Sequence, residues 1–257
     1  MAEHIEILHP SIVEMLKTME NVFKGFGVDF YLVGAVARDI HLSKGDELAA
    51  KRRTKDVDLA IMINNEEQFY AIRAALMATG EFTPHEIEAI KLFYKEGIEV
   101  DLLPFGNIEN EYREIRLQKP KLFIMDMPGF LEVFPFAELI TVEKLTLNVC
   151  PLEGLVILKL IANDDRPGRT KDVTDIEHFI EVYFDLNADE IYSDYPDILD
   201  LYDTNLNNYL LLVSARIIGR KMKNLLMANQ HLTERLKQIV GKRPTEEWQA
   251  MLDGMED

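Results

Sequence analysis

Apolar positions recur at helical spacing between residues 10 and 24, where Ile12, Val13, Met15, Leu16, Met19, Val22 and Phe23 share one face. The glycines at 25 and 27 end that run. Residues 30–33 form a short apolar stretch closed by Gly34, the pattern of a buried strand. A helix is predicted over 36–43, followed by a polar, basic loop through Lys55. Residues 57–62 read as a second strand, with Asn64 and Asn65 closing it. Over 66–79 the residues Phe69, Ile72, Ala75 and Leu76 fall on one helical face. Two β-rich runs, 92–95 and 98–103, flank Glu96-Gly97 as a hairpin, and Pro104 is expected to end the second. Between 105 and 150 the pattern weakens. Residues 122–125 and 139–142 read as strands, with Pro128-Gly129 as the turn between them. From residue 152 onward the periodicity is helical, over 152–164, 173–184, 206–225, 232–240 and 245–252. The expected fold is α+β. A mixed sheet with flanking helices occupies a first domain, residues 1–150, and a helical bundle forms a second, residues 151–257.

Composition narrows the setting. The chain has 257 residues and one cysteine, Cys150, so an internal disulfide and a thiolate metal cluster are both excluded. The first ten residues mix acids and histidines among single apolar residues, unlike a signal peptide. The apolar runs are too short to span a bilayer. A cytoplasmic protein is expected. With 45 acids against 28 bases the net charge is −17, so the chain as a whole repels polyanions. A compact Mg-NTP remains acceptable where local bases and cations neutralise it, and a nucleic-acid acceptor would need a local basic surface.

Candidate chemistry begins at Asp56-Val57-Asp58. On a strand, Asp56 and Asp58 point to one side while Val57, Leu59 and Ile61 enter the core. Two carboxylates held so close repel unless a cation sits between them, and hard cations such as Mg²⁺ prefer oxygen ligands. A third acid, Asp101, lies on the apolar run 98–103, with Glu99 on the same face as its rival. If the two strands pair, three carboxylates meet on one edge, a geometry suited to a two-metal clamp. Alone, the D-x-D pattern is weak, since acids at strand ends are commonly just solvated. The order of parts raises it: strand, Gly34 turn, helix, basic loop, D-x-D strand, acid-bearing strand. The six histidines show no metal-ligand spacing, and neither a serine nucleophile elbow nor a Walker loop is present.

These parts carry a resemblance. Leu32-Val33-Gly34-Ala35-Val36-Ala37-Arg38-Asp39 followed by Arg53-Thr54-Lys55-Asp56-Val57-Asp58-Leu59-Ala60-Ile61 resembles the signature of the DNA polymerase β-type nucleotidyltransferase superfamily. Val100 to Gly106, together with Leu158-Lys159-Leu160, Asp165-Arg166, Lys171-Asp172 and Asp175-Ile176, is similar to the nucleotidyltransferases related to AbiEii toxins of type IV toxin–antitoxin systems. The likeness runs over residues 28–184 in separate blocks and leaves the last helices unassigned. It implies a nucleotidyltransferase-like sheet, with the helical domain contributing to the active-site cleft. The implied activity is transfer of an NMP from an NTP to an acceptor hydroxyl on RNA (a tRNA among them), protein or a small molecule. The implied cofactors are two Mg²⁺ ions, or Mn²⁺, and an antitoxin is the implied partner. Asp56 and Asp58 would bind both ions. Asp101 would bind the catalytic one and help deprotonate the acceptor. Gly34, Ala35 and the following amides would cradle the triphosphate.

Other site candidates are less specific. Arg53 and Lys55 lie next to the acid edge, whereas Lys51 and Arg52 read as a solvated loop. Arg38 and Asp39 could pair with each other. Lys159, inside an apolar run and seven positions from Arg166 on one helical face, either snorkels to solvent or is held for an anion; the resemblance implies nucleotide phosphate. Asp172 is implied at the site rim, against a reading in which Thr174 and Glu177 form a capping box and the early acids serve the helix dipole. Arg216, Arg220, Lys221 and Lys223 read as a solvated face, or alternatively as a track for acceptor phosphates. The family usually has Gly-Gly or Gly-Ser where this chain has Gly34-Ala35, and alanine loses a phosphate-contacting hydroxyl. The rival reading is a catalytically degenerate nucleotidyltransferase fold serving as a nucleotide-binding or protein-interaction module.

Overall fold

A computed structural model of the chain describes residues 7–43, 55–95 and 97–257. The chain divides into two compact units, Met1–Pro151 and Leu152–Asp257. The first is built on a seven-stranded mixed sheet. Helix α1 (Pro10–Phe26) starts with Pro10 behind a His9 cap, whose Nδ1 accepts from the Ser11 amide, and stops at Gly27 in the left-handed region. Strand β1 (Phe30–Val33) leads straight into α2 (Gly34–Leu42). Next come β2 (Asp56–Met62) and α3 (Glu66–Ala78), whose N-cap Asn65 accepts from the Gln68 amide at 2.9 Å. Strands β3 (Phe82–Pro84), β4 (Lys91–Tyr94) and β5 (Ile98–Phe105) follow. A separate ribbon of β6 (Glu114–Leu117) and β7 (Phe123–Asp126) precedes the short helix α4 (Phe130–Val133) and a 3₁₀ turn. The unit closes with β8 (Glu138–Val142) and β9 (Leu145–Val149).

The main sheet has the order β3-β4-β5-β2-β1-β9-β8. β2 runs parallel to β5 and antiparallel to β1, and β1 runs parallel to β9. Burial explains the register. Val57, Leu59 and Ile61 on β2, and Ile98, Val100 and Leu102 on β5, are all buried, so a one-residue slip would expose both sets. Ala60 and Ile61 on β2 and Leu103 to Phe105 on β5 are buried on both faces of the strands. The polar positions Asp56, Asp58, Glu99 and Asp101 therefore gather at the other end of the pair.

Several expected elements shift. Pro104 does not end β5, which runs on to Phe105 with Pro104 opposite Ile61. The Leu102 amide bonds Ile90 on the β4 side, whereas Glu99 bonds Lys55 on the β2 side. By alternation Pro104 lacks its N–H on the side where β4 has already ended, so no ladder bond is lost. Pro128-Gly129 is not a turn between paired strands: α4 intervenes, β7 pairs with β6, and β8 pairs with β9. Three strands (β3, β6 and β9) were not foreseen, each being five residues or shorter.

The second unit is all helical: α5 (Leu152–Asp165), α6 (Thr170–Leu186), α7 (Ala188–Asp194), α8 (Pro196–Leu199), α9 (Tyr209–Leu225), α10 (Gln230–Gly241) and α11 (Glu246–Glu256). Helix α6 starts at Thr170, so Thr174 lies inside it with its hydroxyl donating to the Thr170 carbonyl, and the expected capping box is absent. The expected helix over 206–225 starts at Tyr209. Helices α9 and α11 cross so closely that each presents a bare backbone to the other. A Cβ on Gly219 would overlap the Met251 carbonyl, and one on Gly254 would overlap the Arg216 carbonyl. Arg216 and Arg220 both clamp Asp257 beside that crossing. The basic stretch of α9 is thus consumed internally, Lys221 by Glu153 and Glu190, and Lys223 by the Glu256 carbonyl. No helix among the described residues is long and apolar enough to cross a membrane.

Backbone atoms cannot rotate away as side chains can, so Gly219→Ala and Gly254→Ala should each destabilise this unit by about 2–3 kcal/mol. Chemical unfolding followed by circular dichroism would measure it. An unchanged midpoint in both variants would show that the two helices can separate freely.

Candidate active site

The site begins with a turn that needs glycine twice. Gly34 opens α2 directly from β1 with φ +63°, a region that side chains strain to adopt. A Cβ there would also overlap Asp58 Oδ2, because antiparallel pairing sets Val33 opposite Asp58. The Gly34 turn and the Asp58 carboxylate are in van der Waals contact, and no larger residue fits between them. Ala35, half-buried, follows at the start of α2. Arg38 and Asp39, one turn on, are both buried and pair at 2.8 Å.

Parallel pairing of β2 with β5 then sets Asp58 beside Asp101, and Asp56 beside Glu99. Register partners share a face, so four carboxylates stand on one side of two adjacent strands. They differ in environment. Asp56 is exposed and Asp58 half-buried. The Asp101 side chain is 28% exposed, and its Oδ1 is buried without a hydrogen-bond partner. Burial raises the Asp101 pKa above the ordinary carboxylate value; Lys91 opposes the shift, and Glu88, Glu99 and Asp56 add to it.

Lys91 is the residue that sequence reasoning missed. β4 pairs antiparallel with β5 and sets Lys91 opposite Asp101. Its Nζ lies 2.6 Å from Glu99 Oε2, 3.9 Å from Asp101 Oδ1 and 4.0 Å from Glu88 Oε2. The hydrogen bond to Glu99 is the main reason its pKa is raised, so it stays charged. The hairpin itself carried the signal: with Tyr94 opposite Ile98, counting outward lands 91 on 101, while Glu96 of the expected turn lies outside the described residues. The expected strand began one residue too late to include it. Glu99, the rival of Asp101, is the anchor for Lys91.

The remaining candidates fall elsewhere. Lys51, Arg52 and Arg53 lie outside the described residues, and Lys55 is exposed at the start of β2. In the helical unit, Lys159 is 14% exposed and donates to Asp175 Oδ2 at 2.6 Å and to Asp172 Oδ1 at 3.5 Å. Arg169 Nε approaches Asp172 Oδ2 to 2.9 Å without hydrogen-bond alignment. Lys159 therefore does not snorkel; it is held by two buried acids of α6. Arg166 stands one residue past the end of α5, exposed, with its amide still bonded to the Ala162 carbonyl at 3.1 Å.

Residues 18–257 match the family described as the nucleotidyl transferase AbiEii toxin of type IV toxin–antitoxin systems. The chain belongs to that family. It is a nucleotidyltransferase family, and NTPs with divalent metals are its general reagents. No curated protein matches. Among solved structures, the antibiotic-resistance factor ANT(2'')-Ia is 12% identical with a TM-score of 0.43, over 86% of this chain and 98% of that one. An antigenic nucleotidyltransferase-like protein from Paracoccidioides brasiliensis is 16% identical with a TM-score of 0.42, over 88% and 91%. A chain of the E. coli MS115-1 CdnC:HORMA-deltaN complex is 13% identical with a TM-score of 0.29, over 93% and 89%.

The AbiEii family implies a divalent cation, and the acid edge fits one on donor chemistry. Three aspartates with hard oxygen donors occupy neighbouring register positions, and the buried Asp101 Oδ1 has no protein donor to satisfy it. Among the described residues no three His, Cys, Asp or Glu side chains are gathered as a ready-made cage.

The raised Asp101 pKa has a sign. Between the ordinary carboxylate pKa and the raised folded value, the native state holds a proton that the unfolded state has released. Stability therefore falls as pH rises through that window, and the loss persists above it. In chelated buffer Asp101→Asn should melt higher than wild type at neutral pH, with the gap closing below the ordinary carboxylate pKa. Thermal melts across pH would check it, and a gap that persists in acid would rule out this ionisation as its cause.

Proposed function

We propose that this AbiEii-family chain transfers an NMP from an NTP to an acceptor hydroxyl at the edge formed by Asp56, Asp58 and Asp101. The observation that carries the reading is the register that sets Asp58 beside Asp101 with Gly34 packed on Asp58. Mg²⁺ or Mn²⁺ held by the three aspartates would supply neutralisation of phosphate charge and a more acidic acceptor hydroxyl. Asp101 takes the hydroxyl proton on a carboxylate oxygen as the acceptor oxygen bonds the α-phosphorus. The bond from the α-phosphorus to the β-phosphate oxygen breaks, and pyrophosphate leaves in line with the attack. The amides of Gly34 and Ala35 at the start of α2 bind phosphate through backbone N–H groups, so the hydroxyl missing at Ala35 costs one contact rather than the cradle. Arg53 and Lys55, on the chain entering β2, supply positive charge to the triphosphate.

The family resemblance assigns Lys159 to nucleotide phosphate, and Asp172 and Asp175 hold its ammonium in a fixed place, as an oriented cation for that role requires. Arg166 adds charge from the exposed end of α5. The acceptor is a hydroxyl of RNA such as tRNA, of a protein, or of a small molecule. Toxicity follows where the acceptor is essential, and an antitoxin then restrains it in the cytoplasm, where NTPs and Mg²⁺ are abundant.

Labelled NTPs, Mg²⁺ and separate pools of tRNA, protein and small-molecule acceptors test the reading in one assay. Wild type should label one pool, Asp58→Ala should lose at least about 10²-fold in rate, and Lys159→Ala on the order of 10²-fold. Equal labelling by wild type and Asp58→Ala would end the carboxylate mechanism. Metal-dependent NTP binding without transfer to any pool would make the chain a degenerate binding module.

A further inference from the structure

Lys91 sits where a second cation would be unwelcome once a metal arrives. Its ammonium is bonded to Glu99 Oε2 at 2.6 Å, and its side chain is only 19% exposed. From there it faces Asp101 Oδ1 at 3.9 Å, beyond hydrogen-bonding distance but well within Coulombic range. That oxygen is the buried one with no hydrogen-bond partner. A lysine bonded directly to Asp101 would close it off. A lysine tethered one register step away offsets its charge and leaves the oxygen without a hydrogen bond.

We propose that Lys91 is a positioning residue, the resident counter-cation of the Asp58–Asp101 edge, which Glu99 holds at a distance that steadies Asp101 yet leaves Oδ1 available to a divalent cation. The inference rests on the metal-carboxylate reading above. It assigns Glu99 to the tether and excludes it from the metal-ligand set. Two consequences have opposite signs. Removing the Lys91 charge strips the metal-free edge of its neutralising cation and removes a repulsive neighbour from the metal. Releasing Lys91 from Glu99 lets the ammonium close on Asp101 and compete.

Calorimetric titration of the full-length chain with Mn²⁺, alongside thermal melts with and without Mn²⁺, tests both. Lys91→Met should bind Mn²⁺ on the order of tenfold more tightly than wild type and melt lower in its absence. Glu99→Gln should bind several-fold more weakly. A role confined to packing would weaken binding in both variants, so a gain in Lys91→Met is the discriminating result. Unchanged or weaker binding in Lys91→Met, or a shift of the same sign in both variants, would overturn the inference. Asp58→Asn separates the two levels. Where wild type binds Mn²⁺ and Asp58→Asn does not, the metal reading stands whatever Lys91 does. Where wild type binds none, that reading fails and this inference fails with it.

Discussion

Placing two aspartates side by side on parallel strands is unfavourable, and the arrangement of this site follows from how the fold sustains it. Two unit charges about 5 Å apart repel by about 3 kcal/mol at an effective dielectric near 20, and by less where water reaches them. The Asp58–Asp101 pairing persists because the opposite faces of β2 and β5 bury an aliphatic row each, and slipping the register to part the acids would expose both rows. Lys91 offsets part of the charge from the flank. Gly34 presses on Asp58 from the other side and limits where its carboxylate can turn. The sheet core thus holds an acidic edge that would not assemble on its own.

Such an arrangement trades stability for readiness. Asp101 carries a raised pKa from burial and an oxygen with no hydrogen-bond partner, both of which weaken the folded state. Glu99, one register step away and more exposed, shows the alternative: bonded to Lys91, it is satisfied and unavailable. The two acids occupy equivalent faces of one strand and differ in what β4 places opposite them, Phe93 for Glu99 and Lys91 for Asp101. A long lysine reaches diagonally to Glu99 and leaves its direct partner open.

The legible parts were those fixed by local pattern. Strand parity put Asp56 and Asp58 on one side, two β-rich runs meeting near Gly97 marked the β4–β5 hairpin, and the positions of α1, β1 and α3 follow from periodicity and caps. What could not be read depends on partners distant in the chain. Whether Asp101 meets Asp58 is decided by pairing between strands some forty residues apart, and Pro104 is tolerated only because β4 stops short of it. Strands β6 and β9 are short and lean on neighbours, so their local pattern is weak. Lys159 read as a cation awaiting an anion, and the acids that hold it lie 13 and 16 positions ahead on another helix.

The lysine on α5 and the lysine on β4 pose one question in two settings: what holds a buried or half-buried ammonium still. In each case one acid holds it at 2.6 Å and others stand off, at 3.5 Å from Lys159 and at 3.9 and 4.0 Å from Lys91. A single close partner sets the position, and the looser ones leave a direction in which the charge is not fully spent. A symmetric bridge would neutralise the ammonium and leave little field for phosphate or metal, whereas a free lysine would pay in rotamer entropy each time it was needed. Unequal sharing gives a cation whose position is fixed by one partner. For a reaction that consists mostly of positioning and electrostatic stabilisation, a preorganised charge of this kind is more useful than additional hydrogen bonds.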